Sequence, residues 1–485
     1  MKDREDPGLP ITFGPCSNGE YEPEPTDDVQ AEMIAAATAD CDVGRRVTGL
    51  SRREFLRSAA ATVATLWAIE GSATTAAGRP LGGGYPIARV GLEARRDPVT
   101  ARTLLGSGDF VFDMQGHLLE YDLDPSTRGN WFWGNQFPQA RCEVEDDPRA
   151  CFTMNHFLEE MFIRSDTTMT ALSGLPIMPE GSPLSPEVME ETRRIVTALG
   201  LDNRILVNAL ALPQLGPVQG VLEEMERTVD EFDIAGWKTF THFPSGWFLD
   251  DHDPELPLVA DAFLNQIERL GKPVLCIHKG LAGNSAIGSP IDVGPAAKAH
   301  PGVKFVIYHS GFEVRTTESA YTQDTAGIGV NRLVDSLLRA DVGPGENVYA
   351  EIGSTWWHLL RRPEEAAHVI GKLLVAVGED NLLWGTDSIF YGSPQGQIDA
   401  FRAFEISAEF QERFGYPALT RQIKRKVLGE NACRLYGIVP LKSSLWFSPE
   451  DLAAARADHP VAMRTWGPTS SAEVKEFRLH HRGWP

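Results

Sequence analysis

Four short apolar runs of this chain each end in a histidine or an acidic residue. Runs of this kind, bounded by turn residues, are typical of strands that are buried in a parallel sheet. They lie at 110–117, 272–278, 303–309 and 381–387, and they end in His117, His278, His309 and Asp387. A single histidine at a strand end commonly has a structural role, but four such endings in one chain indicate a site that the strands share. This feature favours a fold that gathers its strand ends in one place.

Eight predicted strands alternate with helical patterns along the chain. The strands are predicted at 109–115, 168–173, 204–210, 237–242, 273–278, 303–309, 347–352 and 381–387. Amphipathic helices, such as 186–199 and 364–377, are predicted between most of them. This alternation requires crossover connections and predicts an α/β fold, specifically a (β/α)8 TIM barrel. An open doubly wound sheet is the alternative, but no Gly-x-Gly-x-x-Gly pattern follows an early strand.

Composition divides the 485 residues into four parts. Residues 1–50 are rich in Pro, Gly, Asp and Glu and are predicted to be a disordered acidic tail. Residues 51–77 begin with Ser-Arg-Arg-Glu-Phe-Leu and continue with a modestly apolar run, which resembles a twin-arginine export signal. A surface amphipathic helix is the alternative for this segment. The barrel is predicted over 78–440, and a C-terminal extension over 441–485.

The expected location and partners follow from the signal and from the charge. An export signal would make the protein a partner of the twin-arginine export machinery and place it in the periplasm or outside the cell. The formal net charge of −22 argues against non-specific binding of nucleic acid. No segment reaches the roughly 18 apolar residues of a membrane helix, so no stable membrane span is predicted.

The six cysteines bear on disulfide and metal chemistry. They include no Cys-x-x-Cys pair, which disfavours a thiolate zinc site. Cys142 and Cys151 flank an acidic segment. In an exported protein they would form a disulfide, and otherwise they would remain two free thiols.

Polar side chains at the strand ends are predicted to meet at the mouth of the barrel, because parallel barrels gather functional groups there. Neutral imidazoles and a carboxylate are the usual ligands of zinc and of similar divalent metals. A metal-activated water at such a site would be a nucleophile at neutral pH. The side chains expected at the mouth are those of Gln115, His117, His278, His309 and Asp387.

Substrate contacts are predicted from a long connection and from three further polar residues. The connection that follows the first strand carries Trp133 among other aromatic residues, and long aromatic loops commonly shape a pocket. A surface excursion or an oligomer contact is the alternative for this loop. His242, Arg315 and Glu351 lie near predicted strand ends and are candidates for substrate binding, although each has an equally plausible structural role.

The order of the histidines and the aspartate at the strand ends resembles the order found in the amidohydrolase superfamily. So does the segment at 423–437, Ile-Lys-Arg-Lys-Val-Leu-Gly-Glu-Asn-Ala-Cys-Arg-Leu-Tyr-Gly. The resemblance covers roughly residues 109–440 and points to the branch that includes aminocarboxymuconate-semialdehyde decarboxylase. It implies a TIM barrel with a metal at its mouth, zinc or else manganese, and a homodimer.

The resemblance also implies roles for individual residues. His117, His278 and Asp387 match metal ligands of the family, and His309 matches a histidine that either assists catalysis or binds a second metal. Gln115 falls where the family has a histidine or glutamate ligand, and an amide oxygen is a poorer ligand than either. A second metal would need Lys238 as a carboxylated bridge, and the sequence favours a single metal.

Three functions are compatible with this pattern. The leading hypothesis is hydrolysis of a small ester, lactone or amide, with Asp387 accepting a proton from water and His309 stabilising or protonating the substrate oxygen. The alternative is metal-dependent, non-oxidative decarboxylation of an aromatic or unsaturated carboxylic acid. The third hypothesis is a catalytically degraded barrel that acts as a binding protein.

Overall fold

Eight parallel strands form a closed barrel. The computed structural model describes residues 8–14, 16–86, 91–121, 147–176, 182–200, 204–243, 245–440, 447–457 and 466–480. The strands follow one another around the sheet in chain order. They are β1 (Val111–Gly116), β2 (Thr167–Ser173), β3 (Ile205–Leu210), β4 (Gly236–Phe240), β5 (Val274–His278), β6 (Lys304–Tyr308), β7 (Val348–Glu351) and β8 (Leu382–Leu383). A bridge between Gly116 and Ser388 closes the ring, which confirms the predicted TIM barrel.

Helices surround the barrel and cover its ends. They are α1 (Asp28–Thr48), α2 (Arg52–Leu56), α3 (Ala59–Ala77), α4 (Pro98–Leu105), α5 (Met154–Leu158), α6 (Pro186–Ala198), α7 (Val218–Glu231), α8 (Ala260–Leu270), α9 (Val293–Ala299), α10 (Asn331–Arg339), α11 (Thr355–Leu359), α12 (Pro363–Ala376), α13 (Gln395–Ala403), α14 (Ala408–Phe414), α15 (Arg421–Arg425), α16 (Asn431–Tyr436), α17 (Pro449–Ala457) and α18 (Ser471–His480). Short 3-10 turns lie at Pro148–Phe152, Pro290–Asp292 and His309–Gly311, and π-turns at Glu159–Ile163 and Lys426–Glu430. A two-stranded antiparallel pair joins Gly83–Gly84 to Glu405–Ile406.

One end of the barrel is closed by apolar packing. Phe112, on β1, stacks on Tyr436 of α16 with a centroid distance of 5.9 Å. The Tyr436 hydroxyl donates to Asn208 Oδ1 at 3.0 Å. The polar strand-end residues meet at the opposite end, where the strands finish.

A register shift in β1 decides which of its side chains reach that open end. Phe112 and Met114 belong to the apolar interior, so strict alternation would send Gly116 to the same side. The pairing with β2 shifts between Asp113 and Gly116. Such an irregularity re-aims the residues after it, and Gln115 and His117 therefore turn into the mouth.

The N-terminal region is ordered where the structure describes it, which corrects the expectation of a disordered tail over 1–50. Helix α1 packs along α3, and Met33, Ala37 and Cys41 are buried between them. Asp27 caps α1 by accepting from the Gln30 amide at 2.7 Å. The composition of the segment is poor in apolar residues, but those it has lie on one helical face and pack on a partner helix.

The predicted export motif lies at the start of α2. Ser51 Oγ accepts from the Glu54 amide at 3.3 Å, and Glu54 Oε2 accepts from the Ser51 amide at 2.8 Å. This capping box gives the Ser-Arg-Arg-Glu pattern a local structural reason, and export remains a prediction from the sequence. Among the described residues, no helix has the length and apolar character needed to cross a membrane.

Two sequence predictions fall at the edges of the described chain. Cys151 is in a disulfide, whereas its predicted partner Cys142 lies outside the described residues, as does Trp133. The C-terminal extension, expected to have little regular structure, contains α17 and α18. Trp466 and Val474 are fully buried, so this part packs against the rest of the protein.

Candidate metal centre and active site

Three buried histidines at the mouth are oriented by backbone carbonyl groups. His117 Nδ1 lies 2.8 Å from the Ser173 carbonyl, and His309 Nδ1 lies 2.7 Å from the Gly353 carbonyl. In His278 it is Nε2 that lies 2.9 Å from a carbonyl, that of Gly280. A ring nitrogen facing a carbonyl must carry the hydrogen, so the other nitrogen of each neutral ring presents a lone pair. This second contact on each imidazole is the arrangement found around metal ligands.

Asp387 faces the outer ring nitrogen of His117. Its Oδ1 lies 3.3 Å from His117 Nε2. Its carboxylate accepts hydrogen bonds from Gln115 Nε2 at 3.0 Å, from Ser354 Oγ at 2.5 Å and from Asn18 Nδ2 at 2.8 Å. Burial works to raise the pKa of Asp387, but the hydrogen bonds that the carboxylate makes, with His117 first and also with Ser354, outweigh burial and lower it. Asp387 is therefore ionised at neutral pH.

Gln115 occupies the centre of the predicted ligand set. Its Nε2 lies 3.5 Å from both His117 Nε2 and His309 Nε2, in addition to its bond with Asp387. Its Oε1 is buried and has no hydrogen-bond partner among the described residues. The two hydrogens of the amide nitrogen are thus shared among three neighbouring polar atoms, while the amide oxygen is without a partner. The structure brings the predicted set together, but it uses Gln115 as a donor in this arrangement.

The N-terminal segment supplies two residues to the mouth that sequence reasoning missed. Asn18 Nδ2 donates to Glu20 Oε2 at 2.8 Å as well as to Asp387. Glu20 Oε1 lies 3.4 Å from His278 Nδ1. Burial, followed by the charge of Asp387, raises the pKa of Glu20. A signal for this placement is present in the apolar cluster Leu-Pro-Ile-Thr-Phe at 9–13, which is out of character for a disordered acidic tail.

Four non-glycine residues at the mouth have left-handed backbones. The φ angles are 64° for His309, 51° for Ser310, 54° for Ser354 and 59° for Asp387. Such residues cost about 1–3 kcal/mol each and cluster at functional sites. His309 follows β6 directly. Its positive φ turns the imidazole toward Gln115, His117, His278 and Asp387, which together with His309 form the ligand cluster, instead of continuing the alternation of the strand.

Two further ionisable residues lie beneath the ligand cluster. Glu351 accepts from the His309 amide at 3.2 Å and from the Gly353 amide at 2.5 Å, and burial raises its pKa well above the usual range. Lys238 Nζ lies 3.9 Å from the centre of the Tyr308 ring and has no hydrogen-bond partner in the described chain. Burial lowers the pKa of Lys238. Glu351 thus supports the backbone around His309.

The other substrate-binding candidates have different positions. The His242 ring lies 4.9 Å from that of His278, and burial lowers its pKa to about 4. His242 is therefore a neutral imidazole at the edge of the ligand cluster. Arg315 lies at the surface, where its side chain is 71% exposed and contacts Glu22 at 3.5 Å. The structure brings His242 to the site and leaves Arg315 outside it.

The residues present fit a divalent metal. Glu20, His278 and His309 each offer a ligand atom, and these three atoms lie within 4.8 Å of one another. Glu20 Oε1 faces the lone pair of His278, and two acceptors at this distance need a shared proton or a cation. A divalent cation would satisfy this contact.

Solved structures resemble this chain in fold. A 2,6-dihydroxybenzoate decarboxylase from Rhizobium is 16% identical, with a TM-score of 0.40 and coverage of 68% of this chain and 99% of its own. A 5-carboxyvanillate decarboxylase from Sphingomonas paucimobilis has the same identity, TM-score and coverage. A dihydroorotase from Campylobacter jejuni is 15% identical, with a TM-score of 0.34 and coverage of 68% and 84%. Likeness at this level carries no information about substrate.

Sequence comparison places the chain in a family. No curated protein matches it. A family model described as Amidohydrolase matches residues 185–438, which is just over half of the chain and includes the strand ends at His278, His309 and Asp387. This protein therefore belongs to the amidohydrolase family of enzymes.

Proposed function

We propose that this protein is a metal-dependent hydrolase of a small organic ester, lactone or amide. The observation that carries the proposal is the set of three buried imidazoles, each oriented by a backbone carbonyl, beside the ionised carboxylate of Asp387. Nitrogen and oxygen ligands of this kind suit zinc, and manganese is compatible with them. When bound, such a metal would supply a Lewis acid and lower the pKa of water to roughly 7.

Asp387 is the base in this proposal. Hydrogen bonds from Gln115, Ser354 and Asn18 hold its carboxylate in one orientation. An ionised carboxylate can accept a proton from the attacking water and later deliver it to the leaving group. Burial excludes bulk water, which would otherwise weaken these interactions.

His309 suits the role of ligand better than that of proton donor. Its Nδ1 hydrogen is engaged by the Gly353 carbonyl, so the nitrogen facing the site is an acceptor. Burial lowers the pKa of His309 to about 4, which keeps the ring neutral at pH 7. The neutral ring can hold a cation or accept a hydrogen bond from substrate.

The test is metal loading followed by a substrate screen on the full-length chain. The wild type and Asp387→Asn would be assayed with esters, lactones, amides and aromatic acids. We expect hydrolysis that needs added zinc or manganese and a fall in kcat/KM of about 10²–10⁴ in Asp387→Asn, the usual contribution of a general base. Asp380→Asn is the matched control, because Asp380 pairs with Lys426 at the surface.

The same screen separates the remaining hypotheses. Carbon dioxide release from an aromatic or unsaturated acid, without hydrolysis of the other substrates, would replace the hydrolase by a decarboxylase. Ligand binding without turnover, unchanged in Asp387→Asn, would identify a binding protein.

We also propose that the chain is exported by the twin-arginine route with its N-terminal residues retained. The Ser-Arg-Arg-Glu-Phe-Leu pattern at 51–56 supports the route, and the burial of Phe13, Met33 and Ala37 in the main core supports the retention. Fractionation of cells that express the wild type and an Arg52→Lys/Arg53→Lys variant is the test. Retention of only the variant inside the cell is the expected result.

A further inference from the structure

The N-terminal arm, defined as residues 16–22, enters the mouth of the barrel as a compact turn. Ser17 Oγ donates to the Tyr21 carbonyl at 2.6 Å and accepts from the Gly19 amide at 2.9 Å. The Glu20 amide donates to Asn18 Oδ1 at 3.1 Å. The turn therefore presents the side chains of Asn18 and Glu20 together to the end of the barrel.

The arm is held in place on both sides of the turn. Tyr21 Oη lies 3.1 Å from Tyr391 Oη, and its ring packs edge-on against His358. Before the turn, Arg361 donates to the Phe13 carbonyl at 2.7 Å. Phe13 itself is buried in the main apolar core. A segment with these contacts is preorganised, so Glu20 would lose little conformational entropy on binding a metal.

Glu20 makes a contact that two acceptors alone do not favour. His278 Nε2 is engaged by the Gly280 carbonyl, so the Nδ1 atom that faces Glu20 Oε1 at 3.4 Å is an acceptor. Zinc binds nitrogen and oxygen ligands at about 2.0–2.1 Å, which places neighbouring ligands of a tetrahedral site about 3.3–3.4 Å apart. The observed separation is that of two ligands sharing one ion.

The alternative position for the ion is taken by an amide. Gln115 Nε2 is surrounded by Asp387 Oδ1 and by the Nε2 atoms of His117 and His309 at 3.0–3.5 Å. A cation among those three atoms would have to displace Gln115. The ligand atoms of Glu20, His278 and His309 already lie within 4.8 Å of one another, so small movements would close them on an ion.

We propose that Glu20, from the N-terminal arm, is a direct ligand of the divalent metal, together with His278 and His309. The proposal rests on the proposed function in that it concerns the same metal centre, and it gives that centre the carboxylate that Gln115 does not provide. Asn18 is a positioning residue, because its amide bridges Glu20 Oε2 and Asp387 Oδ2 at 2.8 Å each. Asp387 is then left free to act as base.

The experiment measures metal affinity in the full-length chain. Apo protein would be titrated with zinc in competition with a chromogenic chelator, for the wild type, Glu20→Gln and Glu22→Gln. Glu22 is the matched control, because it belongs to the same arm and loses the same charge but is 91% exposed beside Arg315. We expect Glu20→Gln to weaken zinc binding by more than about 100-fold, since even residues that only contact a ligand change affinity by 10–100-fold. Glu22→Gln should bind zinc like the wild type.

A cobalt-loaded sample gives a readout independent of affinity. The visible absorption spectrum of cobalt reports its ligands, so it should change in Glu20→Gln and stay constant in Glu22→Gln. Circular dichroism and Tm of each apo protein would show that the fold is intact. A Glu20→Asp variant keeps the carboxylate on a shorter side chain and should recover part of the affinity if Glu20 binds the metal directly.

Other results would overturn the proposal in distinguishable ways. If Glu20→Gln binds zinc as tightly as the wild type while Asp387→Asn loses it, the metal uses the sequence-predicted ligands. If Glu20→Gln keeps full affinity and turns over faster, the arm blocks substrate. If the wild type binds neither zinc nor cobalt, the metal-dependent function fails together with this proposal.

Discussion

At the scale of single residues, a buried ion pair holds the end of β5 and thereby the ligand that ends it. Lys279 follows His278, and its Nζ donates to Asp292 Oδ2 and to the Ile287 carbonyl, both at 2.8 Å. Asp292 Oδ2 also accepts from the Leu249 amide at 2.8 Å. Both charged side chains are fully buried. The pair therefore ties the strand end to two loops that border the mouth.

Replacing Lys279 by Met should destabilise the protein by about 3–5 kcal/mol, because the change leaves the buried carboxylate of Asp292 without its partner. Denaturant unfolding of the apo protein measures the effect. Lys298→Met is the control, since Lys298 is 53% exposed and lies 4.0 Å from Asp341, and a surface pair of this kind contributes little. If both variants had equally small effects on the free energy of unfolding, other groups would have to stabilise the buried charge of Asp292 when Lys279 is absent.

The sequence predicts which strand-end residues meet at the mouth better than it predicts their geometry. His117, His278, His309 and Asp387 stand out because each ends an apolar run, and the mouth of a parallel barrel must collect such residues. Which ring nitrogen faces the site depends on carbonyl groups from Ser173, Gly280 and Gly353. For His117 and His309 these carbonyls lie 56 and 44 residues away along the chain. Local sequence patterns cannot encode such partners.

At the scale of elements, helix α3 is buried over most of its surface. Ala60, Ala64 and Ile69 are all fully buried, and the helix has no strongly polar face. A helix that is apolar all round must be covered by other elements, and α1 and α4 cover this one. The same apolar character made the segment resemble an export signal, so the pattern alone does not distinguish a signal from a core helix.

Introducing a carboxylate into the middle of α3 should release it from its neighbours. Ala64→Glu places a charge in a fully buried position, which is costly without a partner. Hydrogen exchange measured by mass spectrometry should then rise across α1 and α3. Ala76→Glu is the matched control, because Ala76 is exposed in the same helix. Fast exchange across α3 in the wild type would contradict the packed arrangement.

The predicted strands and the observed ones agree closely for most of the barrel, but the last strand, predicted at 381–387, is observed only at Leu382–Leu383. Strand β3, for example, is predicted at 204–210 and observed at Ile205–Leu210, because apolar runs and turn residues are local signals. The register shift in β1 and the arm at the mouth are set by tertiary contacts. For that reason Gln115, a predicted ligand, is observed as a donor to Asp387, and Glu20, predicted to lie in a disordered tail, is observed beside His278.

At the scale of the whole molecule, buried histidines outside the ligand cluster limit stability in acid. Burial lowers the pKa of His156 to about 3 and that of His368 to about 4, with Lys372 adding to the effect on His368. His358 is affected in the same direction by burial and by the charge of Arg361. Each of these rings is neutral in the folded protein at pH 5, whereas in the unfolded chain, with a pKa of about 6.5, each would be largely protonated.

The free energy of unfolding should therefore fall as the pH falls from about 6.5 to 4. Below pH 6.5 the unfolded chain takes up protons that the folded protein cannot, and a histidine such as His368 accounts for a loss of up to about 3 kcal/mol. His368→Phe should flatten this dependence, because the ring packs among Phe410, Phe414 and Tyr416 and phenylalanine keeps that packing without titrating. Urea unfolding between pH 4 and 7 measures the slope.

His252→Phe, at a side chain that is 46% exposed, controls for the loss of one surface histidine. An unchanged slope in His368→Phe would mean that the folded protein already accepts a proton at this ring.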